Sequence, residues 1–143
     1  MGLTQDFAGV CFKMPIKYET AEDIMARLVD IATAINMAHV RFSGVYAFRS
    51  RGSGSRGTIA RCHALSKIWQ KALGIKAVYI IEVISERFDR MSREEQDKVL
   101  IHELMHIPKS FGGGFIHHNM VNDRNVNKLY YLYMQNQKQN EKI

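Results

Sequence analysis

The chain has 143 residues, enough for a sizeable core, and its 46% hydrophobic and 24% charged residues are ordinary for a globular protein. No apolar run approaches the roughly 20 residues that span a bilayer. Two cysteines without a C-x-x-C pair, Cys11 and Cys62, argue against a disulfide framework or a cysteine zinc finger. The first 13 residues lack the basic-then-apolar order of a secretory signal, and Met-Gly-Leu-Thr-Gln-Asp lacks the hydroxyl residue of a myristoylation motif. A reducing, cytoplasmic location without a membrane partner is expected. The net charge of +6, from 20 Lys and Arg against 14 Asp and Glu, gives a general attraction to polyanions and serves solubility equally well.

Residues 1–19 show no clear period and predict an irregular start. Thr20 with Asp23 suggests a helix N-cap, and Ile24, Leu28, Ile31 and Ile35 recur at helical spacing, predicting a helix over 21–38. Its Met25 and Ala32 read as core. Residues 40–49, rich in aromatic and branched side chains, predict a strand. Ser50-Arg-Gly-Ser-Gly-Ser-Arg-Gly57 is a flexible turn, and 58–62 reads as the returning strand of a hairpin. Residues 66–73 predict a short helix closed by Gly74. The run KAVYIIEVIS over 76–85 is nearly continuously apolar and predicts a central strand. Ser92-Arg-Glu-Glu95 is a capping box and Pro108 a stop signal, which together predict a helix over 93–107. A last helix is expected over 121–135, with Val126, Leu129, Tyr130 and Tyr133 on one face, followed by a frayed tail over 136–143. No internal repeat is visible. The order predicts one α+β domain over 1–143, with a mostly antiparallel or mixed sheet packed on helices.

The chemistry concentrates in His102-Glu-Leu-Met-His106. Residues four apart on a helix share a face one turn apart. Both imidazoles can therefore reach one metal ion, with Glu103 beside them to touch a water; H-E-x-x-H is the zinc metalloprotease signature. Val99, Leu100, Ile101, Leu104, Met105 and Ile107 surround the motif, and charged or polar groups among them need a partner. A catalytic zinc takes three protein ligands and keeps a fourth position for water. Downstream, Gly112, Gly113 and Gly114 permit backbone conformations closed to other residues, so the segment can fold back and bring His117 or His118 to the metal. Glu82, Glu86 and Asp123 are rival third ligands.

The run HELMHIPKSFGGGFIHH, with the preceding IWQKALGIKAVYIIEVISERFD, resembles a metallopeptidase family of archaea and phages, a zincin-like group. The likeness covers about 59–122. It implies a small zincin-like domain with His102 and His106 as zinc ligands, Glu103 as catalytic acid/base, and a third histidine at the position of His118. The family often carries proline just before that histidine, where this chain has His117, the alternative ligand. In such folds an edge strand borders the cleft and pairs with an extended substrate; the strands between 40 and 62 are the candidates. His63, Tyr46, Tyr79 and the unused one of His117 and His118 are candidate oxyanion donors, and Glu82, Glu86 and Asp97 candidate acids behind the ligands. His39 has no partner by spacing and reads as structural or exposed.

Three functions follow. The first is a zinc-dependent peptidase acting on a peptide or protein along an edge strand. The second is a metal-dependent hydrolase or binding protein acting on nucleic acid through the basic hairpin, with Arg49, Arg51, Arg56 and Arg61 as phosphate contacts; no RNA-binding aromatic pair or zinc-knuckle spacing accompanies them. The third is a non-enzymatic module with a closed, four-ligand structural zinc.

Overall fold

A computed structural model describes residues 15–142, together with the backbone of two short antiparallel strands, β1 (Leu3–Gln5) and β2 (Cys11–Lys13). The remaining elements are β3 (Lys17–Thr20), α1 (Glu22–Ala34), β4 (Val45–Arg51), β5 (Ala60–Ala64), α2 (Lys67–Leu73), β6 (Tyr79–Ile84), α3 (Ser85–Phe88), α4 (Arg93–Met105) and α5 (Asp123–Glu141). The main sheet runs β3-β4-β6-β5. β4 is antiparallel to β3 and parallel to β6, and β6 is antiparallel to β5. The fold is α+β with a mixed sheet, as expected.

β6 is interior, which is what its apolar run requires: only Ile80 of its six residues escapes full burial. Strand alternation sends Val45, Ala47, Tyr79, Ile81 and Val83 to one face. There they join a core with Ile24, Leu28 and Ile31 of α1, Leu100, Ile101 and Leu104 of α4, and Val126, Tyr130 and Tyr133 of α5. The guanidinium of Arg27 on α1 donates to Gln96 at 2.8 Å and Asp97 at 2.7 Å on α4. Opposite faces of β6 therefore carry different chemistry. Glu82 points away from the helices, and its buried carboxylate accepts from Ser50, Arg61 and His63 at 2.6, 3.2 and 2.8 Å.

The expected hairpin does not form. β6 lies between β4 and β5, and the crossover that parallel pairing of β4 with β6 requires consists of the 52–59 segment, β5 and α2. A two-residue turn would have forced the strands together; this longer Gly- and Ser-containing link reaches across an intervening strand. The start is also not irregular. β3 is an edge strand whose four residues are all exposed, so no apolar alternation announced it. Thr20 belongs to that strand, opposite Phe48. α1 is instead capped by Ala21, which makes no side-chain cap but anchors its N–H on the Ala47 carbonyl at 3.0 Å. α1 stops at Ala34 rather than 38, where Asn36 takes a left-handed φ of 59°.

The helices after β6 follow the sequence signals more closely. Both arms of the Ser92–Glu95 capping box form, at 3.2 and 2.9 Å, and α4 ends ahead of Pro108. The Asn122 side chain caps α5 by accepting from the Asn125 N–H at 3.0 Å. α5 continues to Glu141, so the expected frayed tail is helical over most of its length. Its Asn136 amide bonds the Ala34 carbonyl at the end of α1, a tertiary tie that polar composition does not reveal. No helix among the described residues is long and apolar enough to cross a membrane.

Candidate metal centre

α4 carries His102 and His106 one turn apart, with ring centroids 4.9 Å from each other. Glu103 and His106 are buried, and His102 is half-buried. The helix ends immediately below them. His39 closes it, its Nε2–H donating to the Ile107 carbonyl at 3.1 Å. His39 is therefore structural.

The return segment is fixed by its glycines and by two side chains from elsewhere. Gly113 has φ 98°, and a Cβ there would collide with the Leu65 carbonyl and the Gln70 amide; only glycine fits. Gln70 of α2 donates to the Gly112 carbonyl at 3.0 Å. The hydroxyl of Tyr79, at the start of β6, accepts from the Gly113 N–H at 2.9 Å and donates to the Gly114 carbonyl at 2.8 Å. The chain then locks onto the end of α4. The Ile116 N–H donates to the His106 carbonyl at 2.9 Å, and His106 Nδ1–H donates to the Ile116 carbonyl at 2.5 Å. A carbonyl partner places the proton on Nδ1 and leaves the Nε2 lone pair of His106 free. Phe115 stacks on the same ring, 4.2 Å between centroids.

This path delivers His118 to the motif. Its ring lies 4.9 Å from that of His106 and 5.4 Å from that of His102. One nitrogen from each of the three imidazoles lies within 4.8 Å of the others, close enough for the three to serve a single ion. His117 is exposed, its ring 5.3 Å from that of Phe115 and outside the cluster. Three imidazoles are a donor set that suits a borderline divalent ion.

Burial, reinforced by the neighbouring imidazoles, holds His102 and His106 below the ordinary histidine range; Asp123 opposes this at His102 and the Ile116 carbonyl at His106. Both rings are therefore neutral donors at neutral pH. Burial alone pushes the Glu103 carboxyl up to about 7. The Cys62 thiol of β5 is pushed to about 12, by burial and then by the charge of Glu103, which leaves it an inert thiol. His102, His118 and Glu103 line a cavity of about 760 Å³ that is also lined by Thr58, Ile59 and Ala60, leading into β5.

β5 is an outer strand of the main sheet, whereas β4 is enclosed and drops out as a candidate edge. The Ile59 carbonyl accepts from the Ile84 N–H at 2.8 Å and the Leu65 N–H donates to the Val78 carbonyl at 2.9 Å. That parity directs the N–H and C=O of Ala60 and Cys62 outwards.

Other expected participants lie elsewhere. Glu82 faces away on the far side of the sheet, Glu86 accepts from the Gly52 N–H at 2.6 Å, and Asp97 binds Arg27. None of these acids orients a clustered imidazole; the Ile116 carbonyl does so for His106. Asp123 lines the cavity without joining the cluster. Tyr79 is committed to the glycines, His63 to Glu82, and Tyr46 lies on the face of the sheet away from the helices. Among the basic residues, Arg49 is paired with Asp23 at 2.6 Å and Asp89 at 3.4 Å, Arg51 with Glu19 at 3.8 Å and Arg61 with Glu82 at 3.2 Å. Arg56 is exposed. Three of the four cations thus neutralise carboxylates of the same chain, which does not support a nucleic-acid surface. Sequence spacing had no means of finding Tyr79, Gln70 or Ile116 as supports of the site, because their roles exist only after the return segment folds across β6.

The profile of a family described as "Putative phage metallopeptidase" matches residues 16–138. No curated protein and no solved structure matches the chain.

Proposed function

The chain belongs to this metallopeptidase family, whose chemistry requires a metal, and we propose that it is a zinc-dependent peptidase with His102, His106 and His118 as ligands and Glu103 as general base. The observation that carries the reading is the convergence of three imidazoles beside a buried carboxylate, in a cleft bordered by β5, an edge strand of the main sheet among the described residues. Zinc held by these residues would act as a Lewis acid, acidifying a water and polarising the scissile carbonyl.

The chain's own groups do the rest. His106, held by Ile116 and Phe115, and His118, carried by the clamped glycine segment, keep the donor set in place. Glu103 takes the proton of the attacking water and passes it to the departing amine, and a carboxyl raised towards neutrality is suited to both transfers. The outward N–H and C=O groups of Ala60 and Cys62 bind an extended peptide as an added strand, which gives affinity through the main chain and independently of sequence. The exposed fourth side of the cluster favours this reading over a closed structural zinc site.

The test is hydrolysis of a mixed peptide substrate by zinc-loaded protein, with metal content measured in parallel. Wild type cleaves and loses activity to a chelator. Glu103→Gln binds one zinc and does not cleave. A Glu103→Gln protein as active as wild type rejects the assignment.

A further inference from the structure

Alone among the α-helices described, α2 has no buried residue. Its amphipathicity is inverted. Gln70 points inwards, bonded to the Leu65 and Gly112 carbonyls. At about 100° per residue, Ile68 and Ala72 lie opposite Gln70, and Trp69 and Leu73 run along one flank of the helix. Ile68 is 76%, Trp69 58% and Leu73 57% exposed, and Ile75 just beyond the helix is 48% exposed. These side chains stand out from the surface. Lys67, Lys71 and Lys76 are exposed around them, and no Asp or Glu occurs from Leu65 to Val78.

A protruding apolar cluster within a basic, acid-free border needs a partner that is both apolar and anionic. A second copy of the same patch is a poor one, because a two-fold contact sets lysines against lysines. Aromatic and aliphatic tips flanked by lysines match the boundary between headgroups and acyl chains of an anionic bilayer, where the tips enter and the ammonium groups meet phosphates. We propose that α2 with Ile75 and Lys76 docks this protein peripherally on an anionic phospholipid surface. Trp69, Ile68 and Leu73 enter the headgroup boundary and Lys67, Lys71 and Lys76 contact the lipid phosphates. The inference is independent of the peptidase reading.

Trp69 is the single tryptophan of the chain, so the unmodified protein carries its own probe. Emission is recorded against vesicles of phosphatidylcholine alone and vesicles with about a third phosphatidylserine. A blue shift with the anionic vesicles, quenching by brominated acyl chains and reversal by salt are expected, with much weaker binding to neutral vesicles. Leu73→Ser, which keeps the probe and changes an exposed position, lowers the partition. Each of Lys67→Gln, Lys71→Gln and Lys76→Gln lowers it about fivefold. Circular dichroism checks that each variant is folded. Emission unmoved by anionic vesicles overturns the proposal. So does equal binding to neutral vesicles, or a lipid-free shift that grows with protein concentration and so reports self-association.

Discussion

The buried hydroxyl of Tyr79 accepts a hydrogen bond from the Gly113 N–H at 2.9 Å, tying the central strand to the loop that presents His118. The same hydroxyl donates to the Gly114 carbonyl, so one atom holds two consecutive residues. Tyr79→Phe keeps the ring in the core and removes both bonds. The expected result is a folded protein about 1–3 kcal/mol less stable, with zinc affinity about 10–100-fold weaker, as when a support behind a ligand is lost. Chelator competition and denaturant unfolding measure the two effects; unchanged affinity would show that His118 holds its place without this clamp.

The adjacent histidines make a paired test. His118 lies within the imidazole cluster and His117 lies outside it. His118→Ala should lose stoichiometric zinc in metal analysis after dialysis, and His117→Ala should retain it. The opposite pattern would reassign the third ligand.

α4 is tied to α1 by Arg27 and Asp97, 2.7 Å apart with side chains 13% and 7% exposed. Removing one partner leaves an uncompensated buried charge. Asp97→Ala should therefore cost about 3–5 kcal/mol, and replacing both residues with leucine should recover most of it. Thermal or denaturant unfolding decides this, and a single variant as stable as wild type would mean that the pair is solvated in solution.

Glu103 links the site to stability. In metal-free protein its folded-state value of about 7 lies above the ordinary 4.5. The folded state then holds a proton that the unfolded state has released, so stability falls as pH rises through that window. At about 1.4 kcal/mol per pH unit the loss is roughly 3 kcal/mol once both states are ionised. Glu103→Gln has no such loss. With chelator present, its stability relative to wild type should grow between about pH 4.5 and about pH 7 and then level off. A difference independent of pH would place the wild-type carboxylate in contact with solvent.

The α4 half of the histidine cluster was legible in local spacing. A capping box, a four-residue histidine interval and a downstream proline specify a helix and which residues share its face, because helical geometry repeats within a few residues. The continuous apolar run of β6 likewise marked a central strand. Asp97 could not be read in the same way: spacing offered it as an acid behind the ligands, and only packing against α1 shows it buried beside Arg27.

By itself, then, the sequence determined the α4 motif, the buried strand, the α+β class and a glycine segment able to turn back. Tertiary structure alone decided that β6 separates β4 from β5, that β5 rather than β4 borders the cleft, and that His118 rather than His117 joins the cluster. The physical reason is range. Helix caps and periodicity act between near neighbours in the chain, whereas strand order and the aim of His118 depend on Tyr79, Gln70 and Ile116 meeting the glycine segment and α4 across the folded core.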